Sequence, residues 1–305
     1  MTTSTPTRRS PLAARTGYLQ MSGTRKMANL AMTLPDAIRL EVGDPDFATP
    51  LYIRQAVKAD MDSGQYTHYT PTAGFSELRR ALAAKIEEDS GVTVDPESEL
   101  IVSPGSAGAL YVSIMATVDP GDEVLVPDPG YPQYREMTKL AGGTPIGYPL
   151  REENGFQPVV DEVRVLITPR TKAMIINSPH NPTGSILSHQ SLASLAALAQ
   201  EHDLLVITDE IYSFLVFGET LHESMAALPG MFERTITING FSKTYAMTGW
   251  RLGYAFARAE IMREMIKIQG LVYTCPSAVS QRAGLAALTR IDASQEMVEE
   301  YRKRR

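Results

Sequence analysis

From residue 50 onward, two spacings of apolar positions alternate along the chain. Apolar residues three and four apart predict helices over 51–63, 75–89 (FSELRRALAAKIEED), 107–118, 132–141 and 191–202 (SLASLAALAQEH). Between them lie short apolar runs: ELIVS (99–103), EVLVP (123–127), AMIIN (173–177), LLVIT (204–208), TITIN (235–239) and GYAFA (253–257). These runs have strand length and lack a clean polar alternation, as expected when helices cover both faces of a sheet. The order of elements therefore predicts an α/β fold with a mostly parallel sheet.

After Ala257 the strand pattern stops, and 259–274 and 277–289 read as helices. A third helix is predicted from Asp292, where Asp292 and Gln295 have the spacing of an N-terminal cap and its reciprocal partner. It runs on as EMVEEYRKRR to Arg305, and the sequence offers no obvious packing partner for its apolar face. Residues 1–35 hold Arg8, Arg9, Arg15, Arg25 and Lys26 and no acid before Asp36. That composition admits two readings, a flexible N-terminal arm or an organellar transit segment. The arm is the plainer one, with a cytoplasmic location expected.

Composition narrows the partners. With 305 residues and 43% hydrophobic content the chain can bury a large core, and its net charge of -6 gives no general reason to expect nucleic acid or an anionic membrane. Cys275 is the only cysteine, which excludes an intramolecular disulfide and a multi-cysteine zinc site; no metal is expected. No apolar run reaches the length of a membrane span.

Ligands of open α/β sheets sit at the carboxyl ends of strands, and the residues following each run are chemically loaded. They are PGSAGAL (104–110), DPGYPQY (128–134), SPHNPTG (178–184), DEIY (209–212) and GFSKTYAMTGWR (240–251). Each alone has a plain explanation: close helix packing, a turn aromatic, a turn, a helix cap, a surface cation. Lys243 stands out because no acid accompanies it in FSKTYAMTGWRLGY. Taken together the five stretches fit pyridoxal 5'-phosphate, which needs a lysine for its aldehyde, an acid for its ring nitrogen and a cationic, amide-rich phosphate cradle. Lys243, Asp209 and Arg251 are the candidates for these three tasks.

The stretches GSAGAL, PHNPTG, TDEIY and FSKTYAMTGWRLGY resemble, in order and approximate spacing, the class I/II pyridoxal-phosphate-dependent aminotransferases of fold type I. The resemblance begins near Leu40 in LEVGDPDF. It implies a three-layer large domain over 36–290, to which 36–50 adds part of a small domain, and the start of an interdomain helix at 291–305. Ser106 and Ala107 would bind the phosphate with Ser242 and Arg251, and Tyr131 would stack on the pyridine ring. Asn181 and Tyr212 would bond the ring oxygen, Gly43 would lie near the substrate carboxylate, as would Asn181, and Tyr69 would reach the phosphate of a neighbouring subunit. A homodimer with shared active sites follows from that last role.

The implied reaction is ping-pong amino transfer from an amino acid to a 2-oxo acid through a Lys243 aldimine, with Asp209 and Tyr212 assisting. Family members continue into a small domain whose arginine grips the substrate carboxylate; no residue after Lys243 here is assigned that grip, so an incomplete small domain is expected. Two other outcomes fit the same cradle: a C-S lyase or related eliminating enzyme, and a non-catalytic cofactor-binding fragment. The sequence lacks GxxxxGK and GxGxxG, and its N-terminus is too short for a helix-turn-helix domain.

Overall fold

The computed structural model describes residues 10–218 and 220–305, so Arg8 and Arg9 of the N-terminal reading lie outside the described residues. The apolar runs form one seven-stranded sheet. Its strands are β1 (Leu100–Ser103), β2 (Glu123–Asp128), β3 (Thr144–Pro149), β4 (Thr171–Asn177), β5 (Leu205–Asp209), β6 (Thr235–Gly240) and β7 (Gly253–Phe256). They lie in the order β1-β7-β6-β5-β4-β2-β3, and only β7 runs against its neighbours. The helices are α1 (Gly23–Ala31), α2 (Leu51–Asp62), α3 (Ser76–Ser90), α4 (Gly105–Thr117), α5 (Pro132–Ala141), α6 (Val160–Arg164), α7 (His189–Glu201), α8 (Ala259–Val272), α9 (Ala278–Leu288) and α10 (Asp292–Arg304).

Strand residues two apart point to the same face, and this separates the layers. Ile101, Val124, Val126, Ile175, Ile207, Ile236 and Ile238 pack with side chains of α4, α5 and α8. On the other face, Leu100, Val102 and Phe256 pack with α2, α3 and α9, while Leu125, Met174, Ile176 and Val206 pack with α6 and α7. Both faces are covered, which is why the strands read as unbroken apolar runs. Each fully buried Ile or Leu contributes on the order of 1.5–3 kcal/mol.

The same topology brings the loaded loops together. β2, β4, β5 and β6 end at one edge, at Asp128, Asn177, Asp209 and Gly240. Because β7 is reversed, its first residue Gly253 pairs with Gly240 on one side and with Ser103, the last residue of β1, on the other. The strip holding Lys243 and Arg251 and the start of α4 therefore open at the edge shared by the other strand ends.

Some elements depart from the sequence expectations. β3 reads poorly as a strand because it contains Pro145, Gly147 and Pro149, yet it lies at the sheet edge, where a missing amide donor is tolerated. α1 and the five-residue α6 also escaped the pattern. The predicted cap of α10 does not form: Ile291 is the N-cap residue, and Asp292 is engaged by the Arg290 guanidinium, whose Nε donates at 3.0 Å. α10 does find partners, contrary to the expectation. Met297 is buried, Tyr301 meets Phe47 edge to face at 5.3 Å, and Arg304 pairs with Asp46 at 2.8 Å.

α9 approaches the Lys243 strip closely through a glycine. A Cβ on Gly284 would stand 2.5 Å from Leu252 Cδ2 and 3.3 Å from Phe241 Cζ, two buried side chains flanking the strip. Gly284→Val should therefore cost about 1–3 kcal/mol from overpacking. Chemical denaturation checks this, and unchanged stability would mean that α9 can back away freely.

Candidate active site

The start of α4 supplies the first part of the site. Its N-cap residue is Pro104 and no side chain caps it, so the amides of Ser106 and Ala107 in its first turn remain available to an anion. Gly105, at φ +76°, leads into the helix, and a Cβ there would lie 2.5 Å from Arg251 Nη2. A Cβ on Gly253 would overlap the Ser106 amide and Gly105 backbone. Two glycines thus let Arg251 and the β7 backbone close on the amide-rich turn. Arg251 is itself left-handed, at φ 52°, and its Nη1 donates to the Thr248 carbonyl at 3.0 Å. It makes no ion pair with a carboxylate among the described residues, and Ser242, nine residues earlier in the strip, is buried.

Asp209, at the end of β5, has a different electrostatic problem. It is buried, with Oδ2 accepting from the Tyr134 hydroxyl at 2.9 Å and Oδ1 accepting from the Ile211 amide at 3.2 Å. Burial pushes its carboxyl up to about 6 against these hydrogen bonds, Glu210 adds to the rise, and Lys243 counters it weakly. No cation stands within ion-pair distance among the described residues.

Lys243 lies in a tight turn after β6, partly buried. Its Nζ donates to the Gly43 carbonyl and sits 5.5 Å from the centre of the Tyr212 ring. Burial lowers its pKa; Asp44 and Asp209 oppose that change and Arg251 reinforces it. A larger neutral fraction makes the amine a better nucleophile. Burial likewise raises the Tyr212 phenol to about 12, assisted by Asp209 and Tyr131 and opposed by the side chain of Asn181 facing it. At neutral pH Tyr212 is a donor.

Tyr131 precedes α5 and meets Tyr134 edge to face at 5.4 Å. Its pKa is raised by burial and by Asp209 and lowered by Arg251, so the ring lies within reach of both charges. The structure thus gathers Gly43, Tyr131, Asn181, Asp209, Tyr212 and Lys243 at one edge, with the first turn of α4 beside Arg251. Tyr69 stands apart: it is 87% exposed, in a surface groove with Tyr66 and Cys275–Val279. Sequence reasoning missed Tyr134, although DPGYPQY contains it, and Asn177, the polar residue closing an otherwise apolar strand.

The donor set fits pyridoxal phosphate on physical grounds. A buried carboxylate without a cation and an arginine without an anion suit a ligand with a protonated ring nitrogen and a phosphate, and a lysine with lowered pKa suits its aldehyde.

Comparison with known proteins agrees. Residues 35–305 match the family Aminotransferase class I and II. The chain belongs to this family. It is 44% identical over 292 residues to an aspartate aminotransferase of Pyrococcus abyssi and 40% identical over 292 residues to aromatic-amino-acid aminotransferase 2 of Thermococcus litoralis. Each alignment covers 96% of this chain and 75% of the relative. Among solved structures, aspartate aminotransferase from Thermus thermophilus with maleate superposes with a TM-score of 0.91 at 40% identity, covering 97% of this chain and 77% of that one. The expected fold and pyridoxal-phosphate dependence hold for this aminotransferase.

The Asp209 shift has a stability consequence for the aminotransferase stripped of cofactor. The carboxyl titrates near 3.8 when unfolded and at about 6 when folded, so stability falls as pH rises through that window and is flat above it. The loss above pH 6 is about 3 kcal/mol. Asp209→Asn should remove most of this slope, making the variant the more stable form at pH 7 in the absence of cofactor. Thermal melts from pH 4 to 7 check it, and parallel curves would show that the unpaired carboxylate costs nothing.

Proposed function

We propose that this aminotransferase moves an amino group between an α-amino acid and a 2-oxo acid with Lys243, Asp209 and Tyr212 as its catalytic residues. The observation carrying the reading is the meeting, at one sheet edge, of a lysine with lowered pKa, an unpaired buried carboxylate and an uncompensated arginine over an open helix start. When bound, pyridoxal phosphate supplies an electron sink for the pair left at the substrate α-carbon. Arg251, Ser242 and the Ser106 and Ala107 amides would hold its phosphate, and Tyr131 would lie against its ring. Asp209 would keep a proton on the ring nitrogen, and Tyr212 and Asn181 would donate to the ring oxygen. The Lys243 amine would serve as the base that takes the proton from the α-carbon. Gly43, whose carbonyl now receives Nζ, places backbone beside the substrate carboxylate, where Asn181 also contributes.

Asp209 acts on charge that develops during the reaction, so Asp209→Asn should lower kcat by at least about 100-fold with a smaller change in KM. Lys243→Ala should lose both the visible absorbance of the loaded protein and amino transfer to a 2-oxo acid. Steady-state assays with and without an acceptor test the reading. Transfer persisting in Lys243→Ala would sink it, and pyruvate with ammonia formed in the absence of acceptor would make the chain an eliminating enzyme instead.

The exposed Tyr69 supports a homodimer in which each subunit completes its partner's phosphate site. Tyr69→Phe should weaken cofactor binding about 10- to 100-fold, the worth of one hydrogen bond to a charged group. At a cofactor concentration that leaves Tyr69→Phe largely unloaded, mixing it with Lys243→Ala chains should restore activity, because one site of the hybrid then has both residues intact. No restoration in verified hybrids would rule out the shared site.

A further inference from the structure

Asn177 is the last residue of β4, only 3% exposed, and its carboxamide is engaged in three directions. Nδ2 donates to the Asp209 carbonyl at 2.8 Å and to the Pro179 carbonyl at 3.2 Å, and Oδ1 accepts from the Asn181 amide at 2.7 Å. In the sheet register Asn177 stands directly opposite Asp209. Beyond this pair the backbone of β4 turns away from β5, and the remaining ladder contact is a longer one, from the Ser178 amide to the Asp209 carbonyl at 3.3 Å. The side chain of Asn177 therefore substitutes for backbone pairing where the two strands part.

What it joins matters for the chemistry. Asp209 presents its carboxylate at the end of β5, and Asn181, four residues after Asn177, faces the Tyr212 hydroxyl. These groups come from separate loops, and one buried carboxamide binds the backbone of both. An amide is suited to this because it offers two donors and an acceptor in one rigid plane. Alanine would leave the Asn181 amide and one lone pair of the Asp209 carbonyl without this partner in a buried place. Aspartate would keep an acceptor for the Asn181 amide but turn a second oxygen toward the Asp209 and Pro179 carbonyls.

We propose that Asn177 is a positioning residue for amino transfer, setting the placement of Asn181 relative to Asp209 and thereby the protonation of the bound cofactor. The inference rests on the role given above to Asn181. Its amide donor favours the ionised ring oxygen, so displacing it favours the protonated state and moves its titration to higher pH. A purely structural asparagine would affect stability and leave that titration in place.

The test is a pH titration of the visible absorbance of pyridoxal-phosphate-loaded protein for Asn177→Ala, Asn177→Asp, Asn181→Ala and the double alanine variant, alongside melting temperatures without cofactor. Asn177→Ala should raise the midpoint by on the order of half to one pH unit. Asn177→Asp should raise it less, and the double variant no further than Asn181→Ala, because both changes remove the same effect. Midpoints of both Asn177 variants equal to that of the unaltered protein, with lowered melting temperatures, would overturn the proposal, as would full additivity in the double variant. If Asn177→Ala does not fold, the midpoint of Asn177→Asp decides. An unmoved midpoint in Asn181→Ala would instead overturn the role of Asn181, and the positioning proposal with it.

Discussion

Asp209 takes a carboxyl group into a buried place where, among the described residues, no lysine or arginine stands at ion-pair distance. Two hydrogen bonds, from Tyr134 and the Ile211 amide, are too little to hold it ionised at its ordinary pKa. Such an arrangement opposes folding and is stable only because the surrounding sheet and helices supply far more than the few kcal/mol it costs. A cationic ring nitrogen beside it would turn that cost into binding energy. Arg251 presents the complementary case, a guanidinium held by a backbone carbonyl and left open to an anion. The chain alone satisfies neither charge, and one ligand with both complements satisfies the two at once.

These charges meet because of strand direction. Had β7 run parallel to β6, Arg251 and the strip before it would have to cross the sheet before the strand began. Its reversal lets Gly253 lie between Gly240 and Ser103, so a short turn carries Lys243 and Arg251 back across the same edge. The close approach of Gly253 and Gly105 then brings the first turn of α4 under Arg251. Polar groups at this edge are positioned by buried apolar strands, which keeps them in place without requiring them to pair with one another.

Much of this was legible in the chain. The strands end where the apolar runs end, and the polar stretches that follow them are the ones that converge, because local pattern and sheet topology are tightly linked in parallel α/β folds. What was not legible depends on contacts distant in sequence. β3 is accepted as a strand only because it occupies an edge. Tyr134 falls within the predicted helix 132–141 with nothing local to mark it, and its bond to Asp209 spans 75 residues. Asn177 looked like the end of a strand, and its bond to the Asp209 carbonyl, 32 residues away, exists only because β4 and β5 are neighbours. Asp292 followed the local rule for a cap, but a guanidinium two residues earlier won the carboxylate.

The segment around residues 44–49 shows how such distant contacts act on the reactive lysine. On one side it is bound to the Lys243 strip: Thr248 Oγ1 donates to Asp44 at 2.6 Å, Thr49 Oγ1 to the Ala246 carbonyl at 2.7 Å, and Trp250 Nε1 to Thr49 at 2.9 Å. On the other it is held by α10, through Arg304 on Asp46 and Tyr301 on Phe47. Gly43 lies at the start of this bridge, with its carbonyl on Lys243 Nζ. That bond ties the reactive amine directly to the bridge, beside the bridge's other anchors. α10 thus bears on the approach to Lys243 without contributing a group to the cofactor cradle, and for that reason its docking against residues 46 and 47 belongs to the physics of the site.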